Sequence, residues 1–192
     1  ETTQVQLQST FVSGVTTDLL VTCPASSLNQ HSLYNVSNQI NYIKNVGGSW
    51  TTTGVGTASS ATLFVDNNSV AHAVINSTGL HYSTATPGNV FNSDGQVGGA
   101  SASFAGIVVN SAGVAQVLGV DSGNTSRAIV FTRTGPGAWS QSGTVLSHGA
   151  SAFLDLNLRI GPDDTMLATT VKAAPPVQGQ VNIKGPSTGW GI

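Results

Sequence analysis

Short runs of alternating apolar and polar residues cover most of the chain, and clusters of Gly, Pro, Asn, Asp or Ser separate them. Residues 60–65 are a typical run, followed by turn-forming residues at 66–69 and a second run at 70–75. Alternation with a period of two is the pattern of a half-buried strand, and the intervening residues are those that tight turns prefer. No stretch repeats apolar residues at helical spacing for three turns. The sequence therefore predicts an all-β fold.

An aromatic residue followed by small polar residues and a glycine recurs along the chain, most clearly at 138–145. The recurring aromatics are Phe11, Trp50, Phe91, Trp139 and Trp190, with spacings of 39, 41, 48 and 51 residues. Each interval holds three predicted strands, and the aromatic segment supplies a fourth. Periods of this length indicate propeller blades or similar arrays. We expect one all-β repeat domain over residues 1–192, with repeats at about 11–49, 50–90, 91–138 and 139–189.

Small residues occupy the start of the first strand in three repeats, at 59–61, 100–103 and 149–152. Innermost propeller strands converge on an axis where only small side chains fit, so this placement favours a small β-propeller of about four four-stranded blades. A β-sandwich head domain is the alternative. A ring of four blades is small, and three explanations stay open: closure within one chain, closure between chains, or a fragment of a larger protein.

Residues 129–139 carry a resemblance to the β-propeller repeat families, in particular the sialidase-type hairpin and the related FG-GAP repeat. The full sialidase pattern Ser-x-Asp-x-Gly-x-Thr-Trp does not occur in any of the four turns. The alternating aspartates of the FG-GAP calcium loop are also missing, so calcium is not carried over. The resemblance extends to lectin propellers, and it implies ligand sites between blades that combine an aromatic residue with polar side chains.

The charge content excludes several classes of protein. Lys and Arg number six, Asp and Glu number eight, and the formal net charge is −2. Six cations cannot form the basic stripe that neutralises phosphates, so we expect no nucleic-acid partner. No run approaches the 18 apolar residues of a membrane-spanning helix. Cys23 is the only cysteine, which excludes an internal disulfide, and we expect it to be a small buried hydrophobe.

Catalytic chemistry is poorly represented. Glu1 is the only glutamate, and glycoside hydrolysis requires a pair of carboxylates. Most aspartates fall in predicted turns, where aspartate is favoured for backbone reasons: Asp66, Asp94, Asp121, Asp163 and Asp164. The four histidines lack the spacing of a metal site. We expect no enzymatic activity, no metal and no cofactor.

The aromatic residues are the remaining candidates. Trp50, Trp139 and Trp190 recur at equivalent positions, either packing between blades or offering an apolar platform to the C–H face of a sugar. Polar side chains nearby could hydrogen-bond the sugar. The full set of predicted ligand-binding residues is Trp50, Tyr82, His81, Gln116, Arg133, Trp139 and Trp190.

The sequence thus predicts a non-enzymatic, carbohydrate-recognising domain of a lectin-like propeller. One alternative is a viral or phage receptor-binding head, often trimeric, and another is a protein-interaction scaffold. The expected partners are glycans or a cell-surface receptor, with a homo-oligomer left open. Four Asn-x-Ser/Thr sequons, at Asn35, Asn67, Asn76 and Asn124, favour an extracellular location, secreted or on a virion surface.

Overall fold

The computed structural model describes residues 4–6, 20–22, 30–46, 49–85, 90–98, 100–147, 153–172 and 178–191. These residues form seventeen strands and no helix. The strands are β1 (Gln4–Gln6), β2 (Leu20–Thr22), β3 (Gln30–Val36), β4 (Gln39–Val46), β5 (Ser49–Thr57), β6 (Ser60–Val65), β7 (Ala71–Asn76), β8 (Leu80–Ala85), β9 (Phe91–Gln96), β10 (Ala100–Val109), β11 (Ala115–Asp121), β12 (Asn124–Gly135), β13 (Ala138–Ser147), β14 (Phe153–Ile160), β15 (Met166–Lys172), β16 (Gly179–Lys184) and β17 (Trp190–Gly191). Among the described residues there is no apolar helix of membrane-spanning length.

The strands form four sheets in which each strand lies beside its neighbour in sequence. We name them sheet A (β1–β5), sheet B (β6–β9), sheet C (β10–β13) and sheet D (β14–β17). Among the described strands, none crosses from one sheet to another, as the Greek-key connections of a β-sandwich would require. The predicted all-β, propeller-like array of about four blades is confirmed, with a fifth strand added to sheet A.

The recurring aromatic residues lie at the start of the last strand of each sheet. Trp50, Phe91, Trp139 and Trp190 lie at the first or second residue of β5, β9, β13 and β17, the last strand of each sheet. Each sheet therefore ends with its aromatic strand. The predicted repeat boundaries stay a prediction. The chain divides into two compact units, Glu1–Ser77 with His81–Gly95, and Thr78–Leu80 with Gln96–Ile192. The single domain remains a prediction.

In the first unit, sheets A and B share a core of alternating apolar residues. The buried members are Leu33, Ile40, Tyr42, Ala58, Leu63, Val65, Ala71, Ala73 and Ile75. Phe91 packs the edge of its ring against Tyr42, with 5.1 Å between ring centroids and 71° between the planes. An edge-to-face contact of this kind adds to simple apolar burial. Phe91, in the last strand of sheet B, therefore packs that strand against sheet A.

In the second unit, the first strands of sheets C and D approach very closely. A Cβ atom on Gly106 of β10 would lie 2.6 Å from the backbone nitrogen of Leu158 in β14, so only glycine fits there. Two first strands therefore approach closely at Gly106, which is not one of the small residues on which the prediction was based. The small residues at 149–152 lie outside the described residues, as do Phe11, Asp18, Cys23 and His148, and the side chains at 100–103 are not described.

Aspartates in the hairpin turns accept backbone hydrogen bonds, as predicted. Asp66 Oδ1 accepts from the backbone N–H groups of Asn68 and Val70, at 2.9 and 2.8 Å. Asp121 and Asp163 accept the same kind of bond from Gly123 N and Thr165 N. These side chains replace water around turn N–H groups and fix the hairpins. Asp94 differs from the prediction, because it lies within β9 rather than in a turn.

Candidate functional site

The three tryptophans sit at corresponding places in their sheets. Each lies at the start of the last strand, directly opposite a polar residue at or near the end of the preceding strand. We call these pairs the tryptophan platforms: Trp50 with Asn45, Trp139 with Arg133, and Trp190 with Lys184. Directly opposed residues share one face of a sheet, with Cβ atoms about 4.5–5.5 Å apart. Each platform therefore places an indole beside a hydrogen-bonding side chain.

Trp50 is the most accessible platform residue, with 56% of its surface exposed. In β4, Lys44 and Tyr42 point to one face of sheet A, and Tyr42 is part of the core shared with sheet B. The partner Asn45 points to the opposite face. Trp50 therefore lies on the face of sheet A that is turned away from sheet B. An exposed indole on an otherwise polar strand is not explained by packing among the described residues.

The Trp190 platform faces sheet C. Lys184 and Asn182 are two residues apart in β16, so their side chains lie on the same face of sheet D. Asn182 Nδ2 donates a 2.7 Å hydrogen bond to the Val145 carbonyl of β13. Side chains at these positions consequently point from sheet D toward sheet C. Trp190 is half-buried, and so is Trp139 in sheet C. Like Phe91, these two residues combine partial packing with partial exposure.

Tyr82 is placed differently, because it is only 2% exposed and its hydroxyl contacts a buried histidine. Tyr82 OH lies 2.7 Å from His72 Nδ1, and His72 Nε2 lies 3.3 Å from Asp66 Oδ2. Since Nε2 faces a carboxylate, we assign the ring proton to Nε2, so that the Tyr82 hydroxyl donates to Nδ1. The Tyr82 hydroxyl is thereby committed to this internal chain, which links β8, β7 and the β6–β7 turn.

A second histidine–tyrosine pair occupies the matching place in sheet A. His31 Nδ1 and Tyr42 OH are 2.5 Å apart, and His31 is 1% exposed. Burial, together with the nearby charge of Lys44, lowers the pKa of His31 from 6.5 to about 4. Burial also raises the pKa of Tyr42. Among the described residues, His31 Nε2 has no hydrogen-bond partner. Neither histidine–tyrosine pair was predicted from the sequence, although His31 and His72 each lie near the start of the second predicted strand of their repeats.

Gln116 and His81 do not join a platform. Gln116 is 5% exposed and lies opposite Val108, the position that corresponds to His72 opposite Phe64 in sheet B. It therefore occupies the place of the buried histidines. His81 is half-buried near the start of β8, and the neighbouring Leu80 carbonyl accepts from Val97 N, beyond the end of β9. His81 is thus at the opposite end of sheet B from Phe91.

The structure brings Trp139 and Arg133 together and adds Asn45 and Lys184, which the sequence analysis did not single out. The signal for both was available, because each lies a few residues before its tryptophan, across a short turn. In the described part of the chain, no group of three or more His, Cys, Asp or Glu side chains has the geometry of a metal site.

Comparison with solved structures supports the fold. An engineered GH43 glycoside hydrolase with endo-xylanase and exo-arabinofuranosidase activity is similar over 92% of this chain and 40% of its own, with a TM-score of 0.57 and 12% identity. An α-L-arabinofuranosidase from Podospora anserina in complex with cellotriose is similar over 91% of this chain and 65% of its own, with a TM-score of 0.56 and 12% identity. This chain thus spans less than two thirds of either protein.

A fucose lectin from Kordia zhangzhouensis in complex with methyl-fucoside is also similar, over 68% of this chain and 95% of its own, at 15% identity. Its TM-score of 0.43 is too low to support an inference. No protein-family model and no curated protein sequence matches the chain. The propeller-like fold is therefore supported, whereas the sialidase-type and FG-GAP-like repeats are not.

These likenesses correct one prediction. The prediction that the chain has no enzymatic activity is contradicted, because most of the similar structures are glycoside hydrolases. That prediction rests on the scarcity of carboxylates in the composition. A glycosidase needs only two of them in the right geometry, and seven aspartates are enough in number. Scarcity was therefore not a valid ground for excluding hydrolysis.

Proposed function

We propose that this chain is a carbohydrate-binding, propeller-like domain that holds sugar rings on its tryptophan platforms. The observation that carries the proposal is Trp50, whose indole is 56% exposed beside the amide of Asn45. The C–H face of a sugar stacks on an indole because both are apolar, while an adjacent amide can bond the ring hydroxyls. Burial of an aromatic face outweighs the modest contribution of each hydroxyl hydrogen bond.

Repetition favours this function over a single accidental patch. The same aromatic-plus-polar arrangement occurs in sheets A, C and D. Weak sites that recur on one chain can bind a polymer together, and linkage raises the apparent affinity without new contacts. Neutral plant-type polysaccharides are reasonable first ligands, because the two enzymes compared above are named for activity on xylan or arabinofuranosides. An extracellular or virion-surface location is part of the proposal and is favoured by the sequons.

Binding to arabinoxylan and to a glycan array tests the proposal, with affinities measured by calorimetry. We expect Trp50→Ala and Trp190→Ala each to weaken binding by up to about tenfold, because an aromatic contact contributes about 0.5–1.5 kcal/mol and about 1.4 kcal/mol is tenfold in affinity. Val181→Ala is the matched control, since Val181 is an apolar residue on β16 with 58% exposure and no platform role. Unchanged binding in both tryptophan variants, with the fold intact by circular dichroism, would refute the proposal.

Product release belongs in the same experiment. Reducing ends released from arabinoxylan by the wild-type chain are measured alongside binding. Release would show that the chain hydrolyses its ligand, and aspartate variants would then locate the carboxylates. Binding without release would show recognition without turnover under those conditions. Either result is compatible with sugar stacking on the platforms, which the tryptophan variants test separately.

A further inference from the structure

The two faces of sheet D differ in character. One face is turned toward sheet C and is buried, and it includes Leu158 and Asn182. The alternate residues of the strands form the opposite face, which we call the outer face of sheet D. In the described part of the chain, six large apolar residues are exposed, and three of them belong to sheet D: Leu154, Val181 and Ile183. Clustered exposed apolar residues of this kind mark an interaction surface.

The outer face consists of three rows of directly opposed residues, which lie side by side on one face of a sheet. Asn157 and Val181 belong to the middle row. The rows on either side of it are Arg159, Leu167 and Ile183, and Asp155, Val171 and Gly179. Each of these two flanking rows therefore combines a charged residue with apolar ones, and the two charges have opposite signs.

This arrangement is self-complementary. Arg159 and Asp155 are each two residues from Asn157 in β14, in opposite directions. When a second copy lies face to face on the first, a two-fold axis through the middle row and across the strands exchanges the two flanking rows. Arg159 of each copy then meets Asp155 of the other, because every contact in a two-fold interface occurs twice.

The apolar residues match under the same rotation. Leu167 of one copy meets Val171 of the other, and Val181 meets its own equivalent at the axis. Ile183 meets Gly179, which has no side chain and leaves room for the larger residue. Two sheets can pack face to face about 10 Å apart with their side chains interdigitated.

We propose that the outer face of sheet D is the interface through which two copies of this chain associate. Charge complementarity selects a second copy as the partner, because the face presents both signs of charge at positions that a two-fold axis exchanges. The chain has only six Lys and Arg and eight Asp and Glu residues. One residue of each sign nevertheless occupies this face of a single strand. Burial of Val181 and Ile183 away from water supplies the apolar part of the association.

The small size of the face predicts a weak dimer. Three strands of about seven residues present a flat area of roughly 14 by 23 Å. This area of roughly 300 Å² per copy is less than half of the roughly 800 Å² that each partner contributes to a standard interface. We therefore expect a reversible dimer with a dissociation constant between about 10 µM and about 1 mM.

Sedimentation velocity over that concentration range, at low ionic strength, tests the proposal. Arg159→Asp and Asp155→Arg each place like charges against one another at both symmetric contacts, so each should weaken the dimer by at least about tenfold. An equimolar mixture of the two variants should restore association to within about threefold of the wild type, because each change then meets the complementary change in the other copy. Restoration would also show that both variants are folded.

Lys44→Asp is the matched control, because it changes the net charge as Arg159→Asp does but lies on sheet A. An equal loss of association in this variant would overturn the inference, since net charge alone would explain the effect. A mixture that does not associate, or a dimer that neither outer-face variant weakens, would overturn it as well. A wild-type chain that stays monomeric up to about 1 mM would also overturn it and leave the face to a different protein or to a further part of a longer chain.

Saccharide binding is measured on the same variants. The Trp190 platform lies on the opposite face of sheet D, so Arg159→Asp and Asp155→Arg should bind saccharides as the wild-type chain does at each platform. The dimer and the proposed carbohydrate binding are thereby tested independently of one another.

Discussion

Acid should destabilise this protein through His31 in a way that a single substitution can isolate. The side chain is 1% exposed and touches the Tyr42 hydroxyl, and its pKa is lowered from 6.5 to about 4. Between these two pH values the unfolded chain binds a proton that the folded chain does not. The free energy of unfolding therefore falls as the pH is lowered through this window.

The size of the effect follows from the pKa difference. Each pKa unit corresponds to about 1.36 kcal/mol, so a difference of 2.5 units amounts to about 3 kcal/mol lost between pH 7 and pH 4. Carboxylates also titrate in this range. Their contribution to the free energy of unfolding is the same in the wild type and in a variant that lacks only the histidine, so it cancels in the comparison. His31→Gln is suited to this purpose, because Gln116 occupies the corresponding buried place in sheet C.

The assay is urea unfolding followed by tryptophan fluorescence at pH 7, 5.5 and 4, for the wild type and His31→Gln. We expect the free energy of unfolding of the wild type to drop by about 3 kcal/mol more than that of the variant. Comparing the two pH dependences removes any constant cost of the substitution at neutral pH. Parallel losses in the two proteins would refute the reasoning, because they would show that His31 titrates normally or is accessible to water.

Three further predictions concern stability and use the same urea assay. Tyr82→Phe should lower the free energy of unfolding by about 1–3 kcal/mol, because it leaves His72 Nδ1 without the hydroxyl, and no change would show that this hydrogen bond is dispensable. Gly106→Ala should cost about 1–3 kcal/mol or more through the clash with β14, whereas Gly143→Ala, which meets no atom within 4 Å, should be nearly neutral; equal effects would contradict the close approach. Asp164→Ala should cost about 1 kcal/mol by removing the bonds to Ser111, and a stability equal to wild type would show that water replaces them.

The strands and turns were predictable because their signals are local. In β6 and β7, alternation of apolar residues and the intervening Asp66 turn specify a hairpin without reference to the rest of the chain. The repetition of small sheets was likewise readable from the spacing of the aromatics. The spacing does not show which strand begins a sheet, so the repeat boundaries stay a prediction.

The site was only partly predictable, because burial depends on which face of a strand meets another sheet. Tyr82 and Trp50 look alike in sequence as aromatic residues in alternating strands, yet one is buried against a histidine and the other is exposed. Cross-strand register decides that Lys184 rather than another polar residue stands opposite Trp190. Turn geometry and core packing together fix the register between strands. The pattern of a single sequence specifies the turn geometry but not the core packing.

The meander connectivity of the four sheets has a consequence for how the chain is made. Every sheet is built only from strands that follow one another directly, so each pairing joins segments close together in sequence. Pairings of this kind require little loop-closure entropy and form early. During synthesis, sheet B can assemble once residue 96 has left the ribosome, before sheets C and D exist. The strand that begins with the aromatic residue is the last strand of each sheet to emerge, so the sheet can be completed only after that strand has followed its aromatic residue out.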